Sequence, residues 1–472
     1  MIPVPLTEVA EAVGGRLVPP STAAFAPTVD GPVVTDSREA TMGSLYVARV
    51  GETADGHDFV PGAVAAGAVA SITSRELDRS AAAGSWQVVV LDTDAALGDL
   101  ARHVLTRQRD HVTVVAVTGS SGKTGTKDLL ATVLGELGPT VAARESYNGE
   151  VGVPLTVLRL EPTSRYLVLE MGARGIGHLS YLTRIAPPDV AVVLNVGHAH
   201  VGEFGSQDAV EQAKGELVEA LGDNGTAVLN ADDERVRRMA SRTRAAVVLV
   251  GTAADADVRA ERISVDDEGR PSFVLHAPQG SADVSLALHG EHHVGNALAV
   301  AAVALRLGMP CDAVASSLSR AVPASRWRME VVERGDGVRV VNDAYNANPD
   351  SVRAALKALA SMGRRRRTWA VLGEMLELGE ESVAEHAAIG TLATELGISR
   401  LVAVGPGARP VHTGATRGEG RGPAHVYVPD VDSAHALLAA ELRPGDVVLF
   451  KSSRDSGLRW LGERVAAEGG PS

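Results

Sequence analysis

The middle of the chain alternates short, continuously apolar runs with amphipathic stretches. Val112-Thr-Val-Val-Ala-Val-Thr118 reads as a buried strand, followed by a glycine turn and a helix from about Thr124 to Leu137. Further apolar runs follow at Tyr166–Glu170, Val190–Asn195 and Thr226–Asn230, with helical stretches between them. Strand and helix in alternation predict a parallel sheet with helices on both faces. Residues 257–290 break the pattern with three alternating runs, which predict an antiparallel patch, and Val294–Leu307 returns to helix. After about Pro323 a second series begins. Val338–Asn342, Thr368–Leu372, Arg400–Val404, His425–Val428 and Asp446–Phe450 are apolar runs separated by helices, so another doubly wound sheet is expected. It lacks a G-x-G-x-x-G after its first strand, so a dinucleotide fingerprint is absent there. Before all this, strand-like runs within Asp30–Val50 and at Gln87–Leu91, closed by a helix Ala95–Gln108, form a small α/β unit.

One turn carries chemistry. Val117-Thr-Gly119-Ser120-Ser121-Gly122-Lys123-Thr124 lies between a strand and a helix. Glycines let backbone N–H groups turn toward a phosphate, and the helix N-terminus adds partial positive charge. Lys123 would reach the β/γ-phosphates and the Thr124 hydroxyl would ligate Mg²⁺. The spacing is G-x-x-G-K-T, two residues shorter between its glycines than the usual phosphate loop. The motif says nucleotide binding and leaves the reaction open.

In open α/β sheets, ligands sit beyond the carboxyl ends of the strands. Glu170 and Asn195 close two of the central strands, and His200 follows soon after. A carboxylate and a histidine near phosphates suit a divalent metal, although a solvated strand end and a structural histidine are the plain readings of each alone. Lys214 stands out more. Gln207–Leu221 reads as a helix with Ser206 as N-cap, and Val210, Ala213, Leu217 and Leu221 form one apolar stripe. Lys214 falls about 40° from Val210, inside that stripe, so it either snorkels to solvent or its amine has a task.

Composition narrows the class. At 472 residues, and roughly 150 residues per domain, about three domains are expected. Their boundaries are placed at 1–111, 112–322 and 323–472: a small N-terminal α/β domain, a central phosphate-loop domain and a C-terminal Rossmann-like domain. Apolar residues at 45% and charged residues at 22% exclude a largely disordered chain, and aromatics at 3% leave the cores to Val, Leu and Ala. The net charge of −13 argues against a nucleic-acid surface, and the basic run Arg364–Arg367 reads as a solvated helix end or loop. The single cysteine, Cys311, excludes an intrachain disulfide and a cysteine metal site, and fits a reducing cytoplasm. Met1-Ile-Pro-Val-Pro has no basic segment followed by an apolar one, so no secretory signal is expected. No apolar run approaches the ~20 residues that cross a bilayer. Basic residues are nearly all arginine. The lysines are Lys123, Lys127, Lys214, Lys357 and Lys451, positions to examine in a chain so biased.

Together the segments resemble a family. Gly119–Thr124, Leu169-Glu-Met-Gly172, Asn195-Val-Gly-His-Ala-His-Val-Gly-Glu-Phe-Gly-Ser206 and Ala213-Lys-Gly-Glu216 resemble the Mur ligases, ATP-dependent amide-forming enzymes of peptidoglycan synthesis. The resemblance covers nearly the whole chain. Thr35-Asp-Ser-Arg38, Asp55-Gly-His57, Asn342–Pro349, Leu372–Gly379 and Lys451-Ser-Ser-Arg454 are similar to the branch that joins D-alanyl-D-alanine to UDP-N-acetylmuramoyl-tripeptide. The Asp-Asn-Pro-Arg signature of diaminopimelate-adding relatives is not found.

The resemblance implies roles. Gly119, Ser120, Ser121, Gly122, Lys123 and Thr124 would bind ATP, with Asn296 on adenine and Arg328 and Asp343 closing from the third domain. Thr124 and Glu170 would bind a first Mg²⁺, and His200 a second, bridged by a carbamate on Lys214 (N6-carboxylysine). That carbamate would explain an amine on an apolar stripe, and why arginine could not replace it. Ser37 and Arg38 would grip the UDP end of the acceptor, Asn148 would lie near the muramoyl group, Asn346 and Asn348 would bind the incoming dipeptide, and Lys451 and Arg454 would be further substrate-binding residues. Two positions depart from the pattern: Gly149 replaces a second asparagine, and Ser452 replaces a glycine. A cytoplasmic monomer acting through an acyl phosphate is implied, with no nucleic-acid partner.

Overall fold

The computed structural model describes residues 1–21, 25–78, 80–197, 204–416 and 424–468. His200 lies outside the described residues. The architecture is α/β throughout, built on three main sheets.

The central sheet has nine strands. Thr113–Thr118 (β1) lies between Tyr166–Glu170 (β2) and Val190–Val193 (β3), parallel to both. Alternation along β1 buries it twice. Val114 and Ala116 join the apolar cluster on one face, and Val115 and Val117 the cluster on the other. Lys123–Gly135 (α1) and His293–Arg306 (α3) cover the second face, and Gln207–Glu219 (α2) the first. The α2 stripe is as the periodicity predicts: Val210, Ala213 and Leu217 are fully buried, and the Ser206 Oγ accepts from the Ala209 N–H. Each such Val or Leu contributes about 1.5–3 kcal/mol by burial.

Three details differ from the sequence reading. Thr140–Ala142 and Ala246–Gly251 are additional parallel strands. The first is a three-residue edge strand, too short to show a period. Second, Val258–Val265 joins Ala246–Gly251 in parallel before the antiparallel ladder of Pro271–Ala277 and Gly280–Ser285 begins. Third, Glu330–Glu333 adds an antiparallel edge to the six-stranded third sheet, beside Arg339–Asn342 (β4). Otherwise that sheet is parallel, with Val447–Lys451 (β5) between β4 and Thr368–Leu372.

The N-terminal five-stranded sheet is not walled off from the rest. Thr93–Gln108 buries Leu97, Leu100 and Val104 in the same apolar cluster as Leu179 and Leu182 of the central unit. No helix among the described residues is long and apolar enough to cross a membrane.

Candidate active site

β1 is the switch point of the central sheet: its neighbours β2 and β3 connect in opposite directions along the sheet order. Beyond its carboxyl end the chain turns into α1 through Gly122, whose φ is +81°. A Cβ on Gly122 would sit 2.7 Å from Asn296 Oδ1. Glycine is required there twice, for the left-handed backbone and for the approach of α3. The Lys123 ammonium folds back to the Gly119 carbonyl at 2.7 Å.

The loop is clamped from β3. Asn195 Oδ1 accepts from the Ser121 N–H at 2.9 Å, its Nδ2 donates to the Ser121 carbonyl at 3.2 Å, and the Ser120 N–H donates to the Asn195 carbonyl. Sequence reading placed Asn195 at a strand end but gave it no role. Glu170, at the end of β2, is 1% exposed. It accepts from Thr124 Oγ1 at 2.9 Å and from Asn148 Nδ2 at 2.8 Å. Both oxygens of its carboxylate are thus held beside the phosphate loop by residues that the sequence singles out.

Lys214 is 3% exposed and lines the same cleft. Its amine has no hydrogen bond among the described residues. Burial drives its pKa well below the ordinary lysine value, and the Lys123 charge adds to this. Glu216, one turn-half further on, accepts from the Gly177 and Ser180 N–H groups and so ties α2 to the helix His178–Ile185. For Lys123, desolvation in the cleft and then Arg328 lower the pKa, against Glu170.

The third sheet closes the cleft. Arg328 Nη2 lies 3.3 Å from Thr124 Oγ1 and 3.2 Å from Ser146 Oγ, with its guanidinium 4.3 Å over the Tyr345 ring. Its two neighbours, Trp327 and Met329, both have left-handed φ. They are held there by Glu330, which accepts from the Trp327 N–H, and Asp343, which accepts from the Met329 N–H. Lys451, at the end of β5, is 2% exposed. It lies 2.7 Å from Asp343 Oδ2 and donates to the Asp343 and Asn346 carbonyls. Burial lowers its pKa, Asp343 opposes this, and Arg328 adds to it. Asn348 caps the helix Pro349–Met362 (α4) in a capping box with Ser351, and its Nδ2 reaches the Ser120 carbonyl at 3.2 Å.

These groups line one cleft with a cavity volume of about 320 Å³, which also takes in Asn296, His292, His293, Asn148 and Asn346. Gly149 lines it too, and a Cβ there would meet nothing within 4 Å. Ser452, in place of a glycine, is fully buried without a left-handed backbone and accepts from Ser456. Arg454 is exposed at the rim, 5.7 Å over the Tyr345 ring.

Ser37 and Arg38 stand apart from this cleft. They form a turn beyond the strand Val33–Val34, and Arg38 points outward, pairing with Asp36 at 2.5 Å. Hydrogen bonds from Arg38 bring the Asp36 pKa down to about 2. Ser146, Tyr345 and Glu377 also belong to the cleft. None carries a role in the sequence reading, although Tyr345 and Glu377 fall inside the segments Asn342–Pro349 and Leu372–Gly379 and Ser146 directly precedes the Tyr147–Gly152 stretch.

The comparisons with known proteins cover the same ground. Residues 32–104 match the model "Mur ligase family, catalytic domain", residues 117–304 "Mur ligase middle domain", and residues 327–454 "Mur ligase, glutamate ligase domain". The chain is 46% identical to a Mycobacterium tuberculosis protein named UDP-N-acetylmuramoyl-tripeptide–D-alanyl-D-alanine ligase, over 99% of this chain and 98% of that one. It is 39% identical to the Escherichia coli protein of the same name, over 82% and 84%. A crystal structure of MurF from Acinetobacter baumannii superposes with a TM-score of 0.87 at 32% identity, covering 99% of both chains. MurF ligase from Thermotoga maritima, solved in complex with ADP, gives 0.79 at 30% identity, over 93% of this chain and 98% of that one. Phosphate loop, buried acid, buried lysine and closing third sheet therefore stand in a full-length family context: the chain is a ligase and belongs to the Mur ligase family.

Proposed function

We propose that this ligase uses ATP to join D-alanyl-D-alanine to UDP-N-acetylmuramoyl-tripeptide, giving ADP, phosphate and the UDP-muramoyl-pentapeptide. The observation that carries the reading is the convergence of Lys123, Thr124, Glu170 and Lys214 with Asn346 and Asn348 of the third sheet on one cleft. Relatives named UDP-N-acetylmuramoyl-tripeptide–D-alanyl-D-alanine ligase, matched over 98% and 84% of their length, support it. We place the domain boundaries near residues 111 and 322.

A carboxylate is a poor electrophile, so it must be phosphorylated before an amine can attack it. Phosphoryl transfer between anions is helped mainly by positive charge and positioning. Lys123 and the N-terminus of α1 supply charge at the phosphates, Arg328 adds more from the third sheet, and Asn195 keeps the loop in place. Asn296, buried on Gly122, bounds the base end. The amine then attacks the acyl phosphate, phosphate leaves, and closure by Arg328 and Asn348 keeps water out. We place Ser37 and Arg38 on the UDP end of the acceptor and Asn148 near its muramoyl group. Arg454 stands at the entry for the dipeptide, while Lys451 shapes the Asn346 loop that receives it.

Among the described residues no three His, Cys, Asp or Glu side chains converge on a point. The Thr124 hydroxyl and the buried Glu170 carboxylate nevertheless form an oxygen-only pair beside the phosphate loop, which fits Mg²⁺ sharing its shell with phosphates and water. When bound, Mg²⁺ would neutralise charge on the transferring phosphoryl group. Lys214 suits carbamylation, because a buried amine held neutral is the form that adds CO₂. His200 is assigned a second Mg²⁺ by resemblance alone. The deciding experiment measures ADP release with UDP-muramoyl-tripeptide and Mg²⁺, with and without the dipeptide, and the product mass. A pentapeptide formed only with the dipeptide is expected. Folded, ATP-binding protein that yields neither ADP nor product would refute the reading.

A further inference from the structure

We propose that Glu377 holds the cationic amino group of the incoming amine substrate and so selects α-amino nucleophiles; this rests on the amide-ligase reading above. The cleft lining contains the carboxylates Glu170, Asp343 and Glu377. Glu170 and Asp343 are more than nine-tenths buried. Glu377 is the exposed one. It sits on the loop after Thr368–Leu372, on the third-sheet wall that also presents Asn346 and Asn348.

Its backbone gives the second observation. Glu377 has φ +66°, a left-handed conformation that glycine adopts freely and glutamate adopts at a cost. The loop is pinned just before it. The Met375 N–H donates to His386 Nε2 at 2.9 Å and the Leu376 N–H to Ser453 Oγ at 2.9 Å. His386 Nδ1 donates to the Ser382 carbonyl at 2.7 Å, and burial lowers the ring's pKa, which leaves Nε2 as the acceptor. A rigidly held, strained loop that ends in an exposed carboxylate presents that side chain to the cleft. The central-sheet wall offers Lys123 and Arg174 to anions. A carboxylate on the other wall complements a substrate that arrives as an ammonium ion, and it accepts the proton that must leave before the free amine attacks the acyl phosphate.

The test compares Glu377→Gln and Glu377→Asp with the parent protein using two nucleophiles, the dipeptide and hydroxylamine. Hydroxylamine is small and largely uncharged near neutral pH, and it captures an acyl phosphate as a hydroxamate. For Glu377→Gln the dipeptide KM should rise about 10- to 100-fold, the loss expected of one charge-assisted hydrogen bond. Glu377→Asp should recover part of it. The KM for ATP and the hydroxamate rate should stay at parental values. An unchanged dipeptide KM, or a hydroxamate rate that falls in step with ligation, overturns the proposal. Parent protein that makes hydroxamate but no pentapeptide refutes the dipeptide substrate instead. A panel of amino acids and dipeptides then decides the role of Glu377 by whether E377Q loses cationic amines selectively.

Discussion

Gly122→Ala tests the packing of the phosphate loop against α3. The structure makes two separate demands on this position. The first is φ +81°, which costs an L-residue about 1–2 kcal/mol. The second is the contact: the new Cβ would stand 2.7 Å from Asn296 Oδ1, so the asparagine amide must move. Overpacking of this kind costs about 1–3 kcal/mol when the neighbour cannot give way. Here the neighbour is the end of a side chain, so the displacement falls on Asn296, the residue assigned to the nucleotide base. ATP affinity should therefore drop at least about 10-fold, equal to about 1.4 kcal/mol. The strain term adds a loss of stability that ATP does not restore.

Titration calorimetry of ATP against Gly122→Ala, Asn296→Ala and the double variant separates the two. Removing the Asn296 amide removes the contact but leaves the strained backbone. In the Asn296→Ala background, Gly122→Ala should then weaken ATP binding much less than in the parent, with a coupling of about 1 kcal/mol. Strict additivity, within about 0.3–0.5 kcal/mol, would show that the contact does not act on nucleotide binding and would refute the reasoning.

Other consequences follow from the same geometry. Lys214→Ala should lose most ligase activity while still binding ATP, and short carboxylic acids should restore part of the rate. Failure of every acid to rescue a folded variant would count against a carbamate. Asn348→Asp keeps the oxygen that caps α4 but removes the donor to the Ser120 carbonyl. It should retain the parental melting temperature and show a larger radius of gyration in scattering with an ATP analogue bound, whereas Asn348→Ala should also lose about 1 kcal/mol of stability. Asp36 should titrate at about 2 in the folded protein, held there by Arg38. Its contribution to stability is full above the ordinary aspartate value and fades as the pH falls through that range, because the folded form binds its proton last. Carbon-detected titration of Arg38→Ala should show the Asp36 midpoint moving back up, and an unmoved midpoint would exclude Arg38 as the cause.

What the sequence exposes depends on how local the physics is. The phosphate loop was legible because strand, glycine turn and helix start are contiguous, and the glycines and lysine act through their own backbone and side chain. Lys214 was legible because a 3.6-residue period makes one misplaced charge conspicuous. The three-layer α/β architecture followed from the spacing of apolar runs. Glu330–Glu333 did not, because a short run bracketed by two acids shows no apolar signal although its partner strand follows in the next hairpin arm, and the edge strand Thr140–Ala142 did not, since its pairing depends on Tyr166–Val168 further along the chain. The cleft's other half was hidden for the same reason. Asn195 becomes a clamp only when β3 is laid beside β1, and Ser146 becomes a partner of Arg328 only when the third sheet closes. Trp327, Met329 and Glu377 carry left-handed backbones that their residue types argue against. Such conformations are held by anchors outside the residues themselves: Glu330 three positions on from Trp327, and Asp343, His386 and Ser453 from other segments. In this fold the central sheet holds residues whose chemistry is written in their immediate neighbours. The third sheet holds residues whose chemistry exists only after closure, so substitutions at His386 and Ser453 should disturb the amine-accepting half of the reaction before they disturb nucleotide binding, whereas those at Asp343 and Glu330 act through Arg328 on the phosphate half.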